Sequence, residues 1–150
     1  MKKRATDKTP WISPPDYGRS LRPGLGVSLL VRDVKQSAKF LQDVLGATAM
    51  YADEDFAALR LNGADFMLHA DHTYKNNPVS GLITGLEGRG AGVELRVYAC
   101  DPDQAEARAR EGGWIVLAGS MDKPHGLREC VLLDDDGYCW VPGVALAPEL

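Results

Sequence analysis

Apolar and polar positions follow one order along this chain, and that order occurs twice. Residues 27–32 are β-branched and apolar and predict a strand. The next segment sets Val34, Ala38, Leu41, Val44 and Leu45 on one helical face, with Lys35, Lys39, Gln42 and Asp43 on the other. Asp33-x-x-Gln36 opens this helix as a capping-box-like start, and Gly46 stops it. Strands are predicted over 47–51, 56–61 and 65–69, the last two joined by Asn62-Gly63, a strong two-residue hairpin signal. After a connector over 71–91 the order returns: a strand over 92–98, a helix over 102–111, then strands over 114–118, 127–133 and 138–141. Asp101-x-x-Gln104 opens the second helix, Pro102 takes its first position, and Gly112-Gly113 closes it. Gly26 and Glu94 begin the two copies, 68 residues apart, which reads as an internal duplication of a β-α-β-β-β unit.

The duplication sets the domain organisation. Residues 1–24 carry Pro10, Pro14, Pro15 and Pro23 and predict an N-terminal arm, with Trp11, Ile12 and Tyr17 as residues that could pin it to the body. Residues 25–146 form a single domain: module one about 25–70, a linker over 71–91, and module two about 92–143. A linker of that length is usually a functional lid or a mobile connection. A net charge of −4 argues against a nucleic-acid partner. No apolar run approaches the ~20 residues that span a bilayer, so no membrane partner is expected. Met1-Lys2-Lys3-Arg4 leads into no apolar stretch, so a secretory signal is not expected and a cytoplasmic location is. Cys100, Cys130 and Cys139 are odd in number and read as reduced thiols on or beside strands.

Val31-Arg32-Asp33-Val34, Ser37, Phe40 and Val44-Leu45-Gly46 look like the first strand–helix segment of the vicinal oxygen chelate superfamily. Pro124-His125-Gly126-Leu127-Arg128-Glu129 resembles the "WG-x-R-E" stretch of its bleomycin-resistance-like members, with His in place of Trp. Asp134-Asp135-Asp136-Gly137-Tyr138 resembles their "D-P-D-G-Y" turn, with Asp135 in place of Pro. The likeness covers about residues 25–143. It implies an α+β fold of tandem βαβββ modules forming two curved mixed sheets around a cleft. It also implies a homodimer with ligands bound in grooves between subunits.

In that superfamily a divalent metal commonly sits in the cleft, held from the first and last strands of each half. Carried over residue by residue, those places hold Gly26, Met67 or Leu68, Glu94 and Val141. One oxygen donor among four cannot hold a catalytic ion, which needs about three protein ligands. No metal and no other cofactor is therefore expected. The fallback is a rebuilt site using His69 and Glu94, with His72 just beyond His69 and with His125 and Glu129 on the loop and strand opposite. Plainer readings stand beside it: His72 and His125 as solvated loop residues, and His69 making one hydrogen bond at a strand end.

Glu94, Arg96 and Tyr98 share a strand face, as an ion pair on a solvated surface or as cleft residues where the carboxylate acts as a general base or holds a cationic ligand. Trp140, Tyr138 and Trp114 read first as core anchors. Arg128-Glu129 reads as a salt-bridged pair, and Asp134–Asp136 as a solvated turn. The leading expectation is a metal-free small-molecule-binding protein of the glyoxalase/bleomycin-resistance type. It would grip a hydrophobic or aromatic compound with Leu30, Met67, His69, Glu94, Arg96, Trp140 and Val141. The alternative is a metal-dependent lyase, isomerase or dioxygenase with Glu94 and His69 as catalytic candidates. A third reading has the cleft filled by the chain's own N-terminal arm.

Overall fold

A computed structural model describes residues 13–148. Trp11 and Ile12, predicted to pin the arm, lie outside the described residues. The arm contributes a short helix, α1 (Pro14–Ser20), and module one follows as β1 (Val27–Val31), α2 (Val34–Asp43), β2 (Thr48–Ala52), β3 (Phe56–Leu61) and β4 (Ala64–Ala70). The linker holds a 3₁₀ turn (Asp71–Tyr74) and a single helical turn, α3 (Ser80–Ile83). Module two runs β5 (Glu94–Tyr98), α4 (Pro102–Glu111), β6 (Ile115–Asp122), β7 (Leu127–Leu133) and β8 (Cys139–Ala145). The sheets have orders β1-β4-β3-β2 and β5-β8-β7-β6, each with one parallel pair and two antiparallel pairs. The element order is the duplicated β-α-β-β-β that the repeat predicts, and the two mixed sheets are those the resemblance implies.

Local chemistry explains the element boundaries. The Asp33 carboxylate accepts from the Gln36 amide at 2.9 Å, and the Asp101 carboxylate from the amides of Asp103 and Gln104. Gln104 does not complete the box, because its side-chain oxygen accepts from Arg108 instead. Asn62 and Gly63 both take positive φ, 47° and 82°, as a two-residue turn with the twist of its strands requires. That turn fixes the β3–β4 register, which sets Ala58 opposite Met67 and Phe56 opposite His69.

Alternation along each strand then sorts the side chains. Leu29, Val31, Ala57, Leu59, Leu61, Phe66 and Leu68 face the main core with the buried stripe of α2. Phe56, Ala58 and Met67 face the other way, into a second, smaller cluster with Met50, Tyr51 and Tyr17. In module two, Val97, Cys130, Leu132 and Trp140 join the main core, so both modules share one core within a single chain. Phe40 meets Trp114 at 5.3 Å, and Phe66 meets Trp140 at 6.0 Å, across the module junction.

The acidic turn overturns its solvated reading. Asp134 and Asp136 are buried, and only Asp135 between them is exposed. Asp134 accepts from the Asp136 and Tyr138 amides and from the Trp140 indole, while burial pushes its carboxyl above the ordinary range. Asp136 reaches into module one, accepting from the Arg32 amide and guanidinium and from Ser37 Oγ. Arg89 of the linker lies 3.6 Å away, donates to the Leu30 carbonyl and forks onto Asp71. The turn is buried because it is the polar bolt between the modules. The Arg128–Glu129 pairing is likewise corrected: adjacent strand residues point to opposite faces, so Arg128 binds Asp103 and Asp122 while Glu129 binds Arg96 and His125.

Candidate functional site

The outward face of the first sheet forms a cavity of about 740 Å³. Met67 and His69 enter it from alternate positions on β4, and Phe56 enters from the facing strand. Pro14 and Tyr17 of α1 close one side, and His72, Thr73 and Lys75 of the linker close another. His69 is half-buried; its Nδ1 lies 3.0 Å from Ser28 Oγ, and its ring sits 5.0 Å from Phe56 and 5.1 Å from Tyr74. Tyr17 meets Phe56 edge-on at 6.1 Å. Burial pushes the Tyr17 phenol above its ordinary pKa, with Asp65 adding to the rise. His72 Nε2 lies 2.6 Å from Asp55 at the rim. Tyr17, Phe56 and Met67 thus give the cavity apolar walls, while Asp55, His69, His72 and residues 73 and 75–77 line it with polar groups, a mixture that small-molecule pockets use.

A second cavity, of about 380 Å³, lies where β5 runs beside the β3–β4 hairpin. Glu94, Arg96 and Trp140 line it, with Leu25, Phe66 and Tyr98. The Asn62 side chain holds the hairpin to β5 by donating to the Tyr98 and Ala99 carbonyls. Arg96 bridges Glu94, at 2.9 Å, and the buried Glu129, and the Glu94 contact is the main reason its guanidinium is held more firmly protonated. Burial pushes the Glu129 carboxyl up, but bonds from His125 and Arg96 outweigh it and leave the group below its ordinary value.

The predicted site residues are thus divided. Met67 and His69 share the larger cavity, and Glu94, Arg96 and Trp140 share the smaller one. Leu30 and Val141 are buried and line neither of these two. Trp140 touches the smaller cavity while its ring belongs to the core, where it packs on Phe40 and Phe66. Tyr17, Phe56 and Lys75 were not among the residues expected at the site. Phe56 was within reach, since counting back from Asn62-Gly63 sets it opposite His69. Tyr17 and Lys75 are brought in by the arm and linker, whose paths no periodicity encodes.

The donor set does not fit the superfamily's metal. The four corresponding places hold Gly26, Met67 or Leu68, Glu94 and Val141, and the one carboxylate among them is engaged by Arg96. Among the described residues, no group of three or more His, Cys, Asp or Glu side chains could hold a metal ion. A Cβ added at Gly26 would meet nothing within 4 Å, so that corner is open space.

No family model matches the chain, and no curated protein matches it. Solved structures do. A glyoxalase/bleomycin resistance protein/dioxygenase from Nocardioides superposes with a TM-score of 0.63 at 22% identity, covering 90% of this chain and 94% of that one. A glyoxalase-related enzyme from Fulvimarina pelagi gives 0.65 at 17%, covering 83% and 88%. The fosfomycin resistance protein FosX from Listeria monocytogenes gives 0.59 at 16%, covering 83% and 95%. These similarities establish the fold: this chain has the architecture of the vicinal oxygen chelate superfamily. Among the described residues no helix is long and apolar enough to cross a membrane.

Proposed function

We propose that this protein is a metal-free binder of a small hydrophobic or aromatic compound, of the glyoxalase/bleomycin-resistance type. The observation that carries the reading is the 740 Å³ cavity walled by Phe56, Met67, His69 and Tyr17. Its size lies within the ~300–1,000 Å³ typical of ligand pockets, and its walls suit a flat ring better than a cation. Met67 and Phe56 supply contact area, and His69, steadied by Ser28, supplies one polar contact for orientation. A homodimer fits the same picture. Ile115, Leu117 and Met121 on β6 leave apolar surface exposed on the second module, where another subunit would cover it.

A metal-dependent enzyme built on His69 and Glu94 has less support, because these side chains line different cavities and Glu94 is tied to Arg96. Elemental analysis of protein produced with Mn, Fe, Co, Ni and Zn in the medium tests the choice. Sub-stoichiometric metal, unchanged by His69→Ala or Glu94→Ala, is the expected outcome. Near-stoichiometric metal that either substitution removes would establish the enzyme reading instead. A cytoplasmic location goes with this proposal and is tested by fractionation of cells producing the protein.

A further inference from the structure

We propose that the larger cavity takes an aromatic acid, its ring on Phe56 and Met67 and its carboxylate at the linker rim, on Lys75 and the Asn77 side chain. The inference rests on the reading above and deepens it, by naming the charge of the aromatic compound that this face binds. An imbalance among the polar groups of the cavity wall carries it. The negative charge there is already engaged, and the positive charge is not.

Among the described residues, Asp55 is the one carboxylate that lines the cavity, and its Oδ1 lies 2.6 Å from His72 Nε2. Neighbouring carboxylates are engaged as well. Asp53 accepts from the Tyr51 hydroxyl and from the Asp55 and Phe56 amides, Glu54 pairs with Lys35, and Asp71 is held by the fork of Arg89. Lys75 lines the same cavity and makes no ion pair or hydrogen bond among the described residues.

The linker holds its donors at the rim. The Tyr74 ring sits 5.1 Å from His69, Thr73 Oγ1 donates to the Ala70 carbonyl, and the Asn77 amide donates to the Tyr74 carbonyl. Asn77 Oδ1 accepts from the Val79 amide at 2.9 Å, which leaves its side-chain nitrogen to donate elsewhere. An ammonium and a carboxamide nitrogen two residues apart call for an acceptor-only group, and an ionised carboxylate is one. A cationic ligand would meet the unpaired ammonium, and a neutral ring would leave both donors to water. Lys75 is exposed, so it contributes a selectivity of about fivefold, while the ring supplies most of the affinity.

The probes are 2-naphthoate, 2-naphthol and 2-naphthylmethylammonium, one ring with three charges at neutral pH. Each is titrated into the full-length chain, with the Met67 methyl resonance as the readout. Wild type is compared with Lys75→Gln, Lys75→Glu and Lys39→Glu. Lys75 makes no polar contact that the fold uses, so its variants should fold as wild type does. Lys39→Glu makes the same change in net charge on α2, whose buried stripe packs on the other face of the sheet. Wild type should bind 2-naphthoate most tightly of the three. Lys75→Gln should weaken it about fivefold and Lys75→Glu further, with 2-naphthol changed less than about twofold and Lys39→Glu without effect. Added salt should weaken 2-naphthoate and spare 2-naphthol. A loss no larger in Lys75→Glu than in Lys39→Glu, or tighter binding of either other probe, would overturn the aromatic acid. If 2-naphthol shifts Met67 and 2-naphthoate does not, the aromatic reading stands and this inference falls. If no probe shifts Met67, both fall.

Discussion

Removing the Asp136 carboxylate should separate the modules energetically before it disturbs either one. This side chain is 2% exposed and accepts from the Arg32 amide at 3.2 Å, the Arg32 guanidinium at 3.0 Å and Ser37 Oγ at 3.3 Å. Breaking a fully buried ion pair by removing one partner costs about 3–5 kcal/mol. Here the cations are not stranded, because the Arg32 side chain is 41% exposed and Arg89 keeps Asp71. The cost then falls toward the lost hydrogen bonds plus the unpaired Arg32 amide and Ser37 hydroxyl, about 3 kcal/mol for Asp136→Ala. Asp136→Asn keeps the shape and part of the bonding and should cost about half as much. For a domain of this size the alanine variant should melt about 6–12 °C below wild type. Urea unfolding followed by tryptophan fluorescence suits the question, since Trp114 and Trp140 flank the junction. Asp135→Ala, exposed in the same turn, is the control and should stay within about 0.5 kcal/mol. If Asp136→Ala were as mild as that control, the turn would be ornamental and the bolt misassigned.

Other outcomes follow from the same contacts. Trp140→Phe keeps a ring against Phe40 and Phe66 but strands Asp134 Oδ2, so it should cost about 1–3 kcal/mol in urea unfolding. Gly137→Ala must adopt φ +83° and bring its Cβ to 2.9 Å from the Gly88 backbone, so it should destabilise by more than about 1 kcal/mol in the same assay. Because the folded pKa of Glu129 is depressed, its contribution is present above its ordinary value of 4.5 and lost as pH falls through the folded value. Glu129→Gln should therefore flatten the acid limb of the stability–pH curve below about pH 4.5, measured by thermal melts; an unchanged limb would contradict the Arg96–Glu129 contact. Burial pushes the Cys130 thiol up to about 11, so iodoacetamide at pH 8 should modify it in the native protein far more slowly than in urea.

Much of this fold was legible, and the reason is local. Strand and helix periods, two Asp N-caps and the Asn62-Gly63 turn each act over a few residues, and the helix over 102–111 emerges with the predicted bounds. Register followed from the turn as well. The site was less legible because its walls come from separated segments. His69 and Glu94 each sit on the strand where the sequence set them, yet the packing of the modules puts them in different cavities. The acidic turn was misread for a related reason. Three consecutive aspartates look solvated unless Arg32, Ser37 and the Trp140 indole are known to converge on two of them. Tyr17 stood out only as an aromatic residue in a proline-rich arm, with nothing to say which face it would cover.

The most direct test of the central claim is a carbon-13 methyl spectrum of methionine-labelled protein, titrated with 2-naphthol in the presence and absence of EDTA. Met50 and Met67 belong to the cluster beneath the larger cavity, whereas Met121 lies exposed on the other module. Saturable shifts at Met67 and Met50, with Met121 still and EDTA without effect, are the predicted result. An unmoved Met67, or a shift that EDTA abolishes, would contradict a metal-free aromatic site on the first sheet.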